Sequence, residues 1–313
     1  MPALVLALNP SIDAEWRVDD VLWEEKNSVQ SERRWAGGKG INVARWLKHL
    51  GGQPQLFLPL GGKTGDELAG YLREEKIPAH IIRLREPTRV NVIVTTTGGR
   101  QMRFNPLGPK LSQREWGAFL KSVERNLKRM RAAQGGVRHS VRAARSFAWL
   151  GLLILSGSLP RGLPVTAYAR LIRLAHRFGV RTLLDCDGPA LAAAVKARPF
   201  LVKPNEHELA QWWRRPLRSE AEIVRAARAL SEQTRGWVFV SRGAKRSLLV
   251  NCAEGFQFVA TPPRVKPRNT VGAGDALLAA VARQIQRGEP PEKWLEFGLR
   301  IGSAATQLMA GQL

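Results

Sequence analysis

Cysteine is nearly absent from this chain. Cys186 and Cys252 are the only two in 313 residues, too few for a disulfide framework, and no C-x-x-C pair suggests a metal. Such scarcity fits a reducing compartment, so a cytoplasmic location is expected. Long apolar runs are missing as well. The longest, residues 147–155, is far too short to cross a bilayer. The apolar residues 1–8 have no positive residue before them, so they read as a buried first strand rather than a secretory signal. Acidic residues are in short supply: 26 Asp and Glu face 49 Lys and Arg, for a net charge of +23. That balance attracts polyanions, from nucleotides and sugar phosphates to nucleic acids and anionic membranes, and does not choose among them. No aromatic-interleaved basic motif is present, so nucleic acid is not the expected partner, and nothing marks a membrane partner. The positive excess thickens between Lys121 and Arg145, where residues 135–145 read as a surface excursion.

What is present is a substantial core. Hydrophobic residues make up 44% of the chain, enough for one large α/β domain with a small appendage, or for two domains. Short apolar strands are expected at residues 3–8, 150–155, 181–185, 200–203 and 237–240. Helices are expected at 41–50, 65–75, 113–133, 165–178, 189–196 and 221–233. Strand–helix alternation of this kind implies a mainly parallel sheet covered on both faces, with ligands beyond the carboxyl ends of the strands. A β-branched strand at 88–97, a Gly98-Gly99 turn and a return at 101–105 interrupt the pattern. With parts of 13–35 this hairpin is expected to form a small sheet over the cleft. A terminal hairpin is expected at 246–251 and 255–260.

The strongest chemical signal is Asn269-Thr270-Val271-Gly272-Ala273-Gly274-Asp275, followed by an Ala- and Leu-rich run expected to be a helix starting at or near Asp275. A glycine-rich turn opening a helix gathers unpaired N–H groups at the positive end of the helix dipole, which is an anion site. A carboxylate there would repel phosphate unless it had work to do. Asp275 can take the proton of a hydroxyl that attacks a phosphoryl group held by the amides. A plain N-terminal cap is the competing reading of the tetrapeptide alone. Leu277 stands where a dinucleotide fingerprint needs glycine, and Phe57 stands where a P-loop ending in Gly62-Lys63-Thr64 needs one, so both motifs are rejected. Asp13, after the first strand, reads as a holder of a sugar hydroxyl or as a turn residue.

Asn9-Pro10-Ser11-Ile12-Asp13, Gly37-Gly38-Lys39-Gly40-Ile41-Asn42-Val43-Ala44, Thr88-Arg89-Val90-Asn91, Ser156-Gly157-Ser158-Leu159-Pro160, Lys203-Pro204-Asn205-x-x-Glu208 and Thr270–Asp275 follow one another along nearly the whole chain. Each is weak alone, but the ordered set resembles the ribokinase-like sugar kinases of the phosphofructokinase B type. The resemblance implies a single domain over 1–313, a three-layer α/β/α fold with a mainly parallel central sheet. Lid segments at about 13–35 and 88–106 form its small β-sheet lid. It implies an enzyme that moves the ATP γ-phosphoryl group, with Mg²⁺ and in some members K⁺. By it, Asp275 is the base and Gly272, Ala273 and Gly274 form the anion hole. Asp13, Gly38, Lys39, Asn42, Arg89 and Arg103 hold the sugar. Lys203, Asn205, Glu208, Ser241, Gly243 and Thr270 face the nucleotide, Glu208 reaching the metal through water.

The N-terminal Asn-Pro-Ser-Ile-Asp and the Thr-Arg-Val-Asn strand are similar to those of 1-phosphofructokinases, tagatose-6-phosphate kinases and minor 6-phosphofructokinases. These imply an already phosphorylated acceptor, fructose 1-phosphate first among them, and Lys39, Arg89 and Arg103 are expected to converge on its phosphate. Ala276 departs from the subgroup, where Ser is common, and Arg246 from relatives with Gly. Two further classes remain: a degenerate kinase fold kept for binding, and a polyanion-binding protein. A homodimer through the lid is compatible with the resemblance.

Overall fold

The computed structural model describes residues 3–135, 151–308, 311 and 313. The basic excursion expected at 135–145 therefore lies outside the described residues, except for its first. The chain runs β1 (Ala3–Leu6), β2 (Ser11–Val18), β3 (Ser31–Gly37), α1 (Lys39–His49), β4 (Pro54–Gly61), α2 (Gly62–Glu74), β5 (Ala79–Leu84), β6 (Arg89–Thr96) and β7 (Gln101–Phe104). It continues through α3 (Gln113–Gly135), β8 (Leu152–Ser156), α4 (Ala167–Arg177), β9 (Arg181–Asp185), α5 (Gly188–Ala194), β10 (Leu201–Val202), α6 (Glu206–Trp213) and α7 (Glu220–Thr234). β11 (Trp237–Val240), β12 (Ser247–Asn251), β13 (Phe256–Ala260), α8 (Ala273–Arg287) and α9 (Pro291–Ala305) complete it.

Nine strands form the central sheet in the order β13-β12-β11-β10-β9-β8-β1-β4-β5. Pairing is parallel from β5 to β11 and antiparallel at β11–β12 and β12–β13. Strand alternation divides the core. On β1, Leu4 and Leu6 join one apolar cluster with side chains of α3 to α7, whereas Ala3 and Val5 join another with those of α1, α2, α8 and α9. These are the three layers. The chain leaves β1 toward β4 on one side and reaches β8 on the other, so the crevice beyond the carboxyl end of β1 is a topological switch point, where open α/β sheets bind ligands.

Two strands of this sheet are not apparent in the sequence. β4 carries Pro54 and Pro59, and proline inside a central strand argues against a strand. β1 stops pairing at Leu6 opposite Phe57, so Pro59 owes no ladder bond to β1. β5 is short, half-exposed and at the edge.

The second sheet has the order β3-β2-β6-β7. β2 pairs parallel to β6, with Ser11 opposite Arg89 and Asp13 opposite Asn91, and β6 pairs antiparallel to β7, with Ile93 opposite Arg103. Asp13 therefore sits on a strand and is not the turn residue of the alternative reading. Period-2 alternation turns Asp13, Arg89, Asn91 and Arg103 to one face. Among the described residues, no helix is long and apolar enough to cross a membrane.

Candidate active site

A single cleft of about 1130 Å³ lies between the carboxyl ends of the central strands and the inner face of the small sheet. Every side chain and glycine singled out from the sequence as a site residue lines it. Gly272 caps α8 in the left-handed region, at φ 79°, and the helix begins at Ala273, two residues before the sequence suggests. Gly272, Ala273, Gly274 and Asp275 line the cleft at this helix start, where first-turn amides have no intrahelical acceptor; the Ala273 N–H makes one long bond back to Thr270 O at 3.4 Å. Asp275 is 4% exposed, and its Oδ2 accepts a hydrogen bond from Asn42 Nδ2 at 2.9 Å. Burial, reinforced by the charge of Asp185, pushes the Asp275 carboxyl up to about 7, although Asn42, Lys39 and Lys203 pull it down.

Beside the helix end lies a charged cluster. Asp185 ends β9, only 1% exposed, and takes Lys39 Nζ at 3.4 Å on one oxygen and Lys203 Nζ at 3.5 Å on the other. Lys39 also approaches Glu208 Oε1 at 3.6 Å. A β-carbon on Gly274 would lie 3.4 Å from Lys203 Nζ, so this ammonium stands directly against the mouth of α8. Burial works against the charge of Lys39, but Asp185 and Glu208, then Asp275 and Asp187, raise its pKa overall. Lys39 thus departs from expectation: it does not join the lid arginines but turns inward to the buried carboxylates. A buried carboxylate with a charged partner is the lower-energy arrangement, and an exposed arginine face offers it none.

Asn205 caps α6 in a reciprocal box: its side chain accepts from the Glu208 N–H, and Glu208 Oε2 accepts from the Asn205 N–H at 2.9 Å. With its other oxygen near Lys39, Glu208 has no full set of oxygens for a metal, and no cluster of three or more metal-ligating side chains occurs among the described residues. That donor set suits Mg²⁺, which keeps several waters and takes its other ligands from substrate phosphates. Ser241 N donates to Pro204 O at 3.0 Å, and with Gly243 it borders the same end of the cleft.

At the opposite end, Asp13 Oδ1 accepts from Ser11 Oγ and from Asn91 Nδ2, both at 2.8 Å. Burial raises the Asp13 pKa, while these donors and Arg89 and Arg45 lower it. Gly37 is required here, because a β-carbon would lie 2.2 Å from Asp13 Cγ. Gly38, at φ 109°, carries the backbone turn into α1. Arg89 donates from Nη1 to Pro106 O at 2.8 Å and from Nη2 to Asn9 O at 3.0 Å, which aims the guanidinium. Burial lowers its pKa and Asp13 raises it. Arg103 is exposed on the same face and bonds only Gln101 among the described contacts.

Sequence reasoning passed over Asp185, and it placed Asn9, Gly37, Asn91 and Ser156 within motifs without giving any of them a role of its own. The signal for Asp185 was its place at the end of a parallel strand. Asn9 Oδ1, Asn91 Oδ1, Ser156 Oγ, Arg89 Nε and Ser247 Oγ are buried in the cleft wall with no hydrogen-bond partner. Buried polar groups rarely stay unpaired, which sets these five atoms apart from the rest of the wall.

Residues 7–313 match the model of the pfkB family carbohydrate kinases. The chain is 32% identical over 304 residues to the ATP-dependent 6-phosphofructokinase isozyme 2 of Escherichia coli, covering 96% of this chain and 91% of the relative. It is 35% identical over 288 residues to a 1-phosphofructokinase of Xanthomonas campestris, covering 90% and 83%. The structure of Escherichia coli phosphofructokinase-2 in complex with fructose-6-phosphate superposes with a TM-score of 0.84 at 30% identity, covering 97% of this chain and 93% of that one. The ribokinase-like fold, the cleft at the switch point and these likenesses agree, and the chain belongs to the pfkB family of carbohydrate kinases.

Proposed function

We propose that this protein transfers the γ-phosphoryl group of ATP to a hydroxyl of a ketohexose phosphate, with fructose 1-phosphate as acceptor and fructose 1,6-bisphosphate as product. The observation that carries the reading is the position of Asp275: a buried carboxylate at the mouth of an anion-binding helix end, in a cleft with lysines at one end and arginines at the other. Asp275 takes the proton from the attacking hydroxyl. The amides of Gly272, Ala273 and Gly274 stabilise the charge on the phosphoryl oxygens as they leave one partner for the other. Lys203 and Lys39, both ion-paired with Asp185, face the nucleotide phosphates. Bound Mg²⁺ would neutralise phosphate charge, and Glu208 would hold it through water.

Asp13, Gly38 and Asn42 hold the sugar hydroxyls, while Arg89 and Arg103 receive its existing phosphate, whose paired oxygens suit guanidinium forks. Asn205, Ser241, Gly243 and Thr270 border the nucleotide. The small sheet acts as a lid over a domain spanning 1–313, inserted at about 13–35 and 88–106. Its exposed Trp23, Leu22, Phe104 and Leu107 give it an apolar outer surface suited to a second copy of the chain. K⁺ as an activating ion and a cytoplasmic setting complete the reading.

Fructose 6-phosphate is the second acceptor to weigh, favoured by the likeness to a 6-phosphofructokinase, and tagatose 6-phosphate the third. An ADP-release assay over these three sugar phosphates and unphosphorylated fructose, with and without K⁺, tests the reading. Turnover is expected with a phosphorylated ketohexose. Preference for unphosphorylated fructose would remove the substrate class, and no ADP release with any acceptor would point to a degenerate fold.

A further inference from the structure

Asn42 contacts Asp275, yet an asparagine amide can present either end to a carboxylate. Only the Nδ2 end is attractive; a half-turn about the last bond would set Oδ1 against the charge. Nothing in the side chain itself selects the productive end. Arg45 lies one turn along α1. Its Nη1 donates to Asn42 Oδ1 at 3.1 Å. A guanidinium only donates, so this contact holds the oxygen end of the amide away from Asp275. Arg45 is itself clamped. Its Nε and Nη2 each reach a different oxygen of Glu75 at 2.7 Å, in a fork-to-fork pair, and Nη2 also donates to Ala36 O at 3.0 Å. The Arg45 side chain is only 10% exposed. Glu75 caps the C-terminus of α2, Ala36 belongs to β3 next to Gly37, and Asp275 opens α8. One side chain therefore ties the end of α2, the root of the lid and the reacting end of α8.

We propose that Arg45 is a positioning residue: clamped by Glu75, it fixes the Asn42 amide in the orientation that donates to Asp275 and so sets the pH at which that base becomes available. The inference rests on the reading of Asp275 as the base. The groups facing Asp275 are Asp185 from β9, Lys39 and Asn42 from α1, and Lys203 after β10. Of these, Asn42 is the one whose contribution depends on orientation, and Arg45 touches none of the others. A freed amide spends part of its time reversed, the carboxylate loses its donor, and the proton is held more tightly.

The test compares pH profiles of kcat and KM for the wild type, Arg45→Met, Arg45→Lys, Glu75→Gln and Asp275→Asn, with thermal melts as a check on folding. The acidic limb of kcat for Arg45→Met should move up by about one pH unit, as expected for a weakened hydrogen bond to a charged group. Activity at pH 6 then falls by up to about tenfold and largely returns by pH 9. Glu75→Gln should move the limb in the same direction by less. Arg45→Lys keeps the charge and lacks the fork, so its limb should also move. A wild-type profile in Arg45→Lys would show that only charge mattered and would overturn the proposal. Equal loss at every pH in folded Arg45→Met would overturn it too, as a plain structural role. If Asp275→Asn is inactive while the Arg45 limb stays in place, the positioning inference alone fails. If Asp275→Asn turns over normally, the reading of Asp275 as base fails first.

Discussion

Replacing Asp275 by Asn should cost activity and add stability, and the two effects come from one cause. General-base catalysis contributes about 10²–10⁴-fold in rate, so turnover should fall by that factor while nucleotide binding persists. The stability effect follows from the raised pKa. In the unfolded chain the carboxyl titrates near 3.8, in the fold near 7, so between these values the folded state holds the extra proton. Stability changes with pH in proportion to protons bound in the unfolded state minus those in the folded state. That difference is negative here, so the carboxyl's contribution is fully present below about pH 4 and is lost as pH rises through about 7. The full span corresponds to about 4 kcal/mol as an upper figure. For a chain of this size that is roughly 6 °C in Tm. Asn cannot ionise, so the variant should match the wild type near pH 4.5 and melt several degrees higher at pH 8.5. Thermal melts of both proteins at the two pH values, paired with ADP-release rates, measure this. A variant that melts lower than the wild type at pH 8.5, or a difference independent of pH, would refute the assignment of a strained buried carboxylate. Turnover at the wild-type rate would refute the base.

Three further perturbations probe the sugar end. Arg103→Ala should raise KM for the sugar phosphate about tenfold and leave the poor use of fructose unchanged, because a charge-assisted bond contributes on the order of 1.5–3 kcal/mol and this one is exposed to solvent. Arg89→Ala should cost up to about 100-fold, and in kcat as well as KM, since Arg89 also ties the carbonyls of Asn9 and Pro106; equal losses on both sugars would show that neither arginine reads the phosphate. Gly37→Ala places a carbon 2.2 Å from Asp13 Cγ, so the carboxylate must leave its Ser11 and Asn91 donors. Sugar affinity should drop with nucleotide affinity intact, and unchanged KM for the sugar would show that Asp13 is not part of the grip.

The parallel core was legible wherever strands are nearly continuous apolar runs, as at Trp237–Val240 and Leu152–Ser156. It was not legible at Pro54–Gly61, where Pro54 is the first strand residue and Pro59 is tolerated because β1 stops pairing before it, a fact of pairing rather than of sequence. Nor was α6 read as a helix, although the Asn205–Glu208 box marks its start. The glycine-rich segments were legible because few other residues fit their backbone. Asp185 was not, since a strand-end aspartate looks ordinary until two lysines converge on it from α1 and from the segment after β10. Lys39 shows the same limit: motif membership placed it in the cleft, and only geometry showed that it pairs with Asp185 and Glu208.

The parallel seam between β2 and β6 has a consequence for the order in which the molecule assembles. Ser11 meets Arg89 across 78 positions of chain, and between them lie α1, β4, α2 and β5, all of the central body. The small sheet is therefore not a hairpin that can form by itself and dock later. Its two halves emerge from β1 and β5, and they are brought within reach only after the sheet containing those strands exists. Closing so long a loop carries an entropic cost that only a formed core can offset. The covering sheet therefore depends on the central sheet for its assembly, and with it Asp13, Arg89 and Arg103, the part of the proposed sugar grip that lies outside the central body.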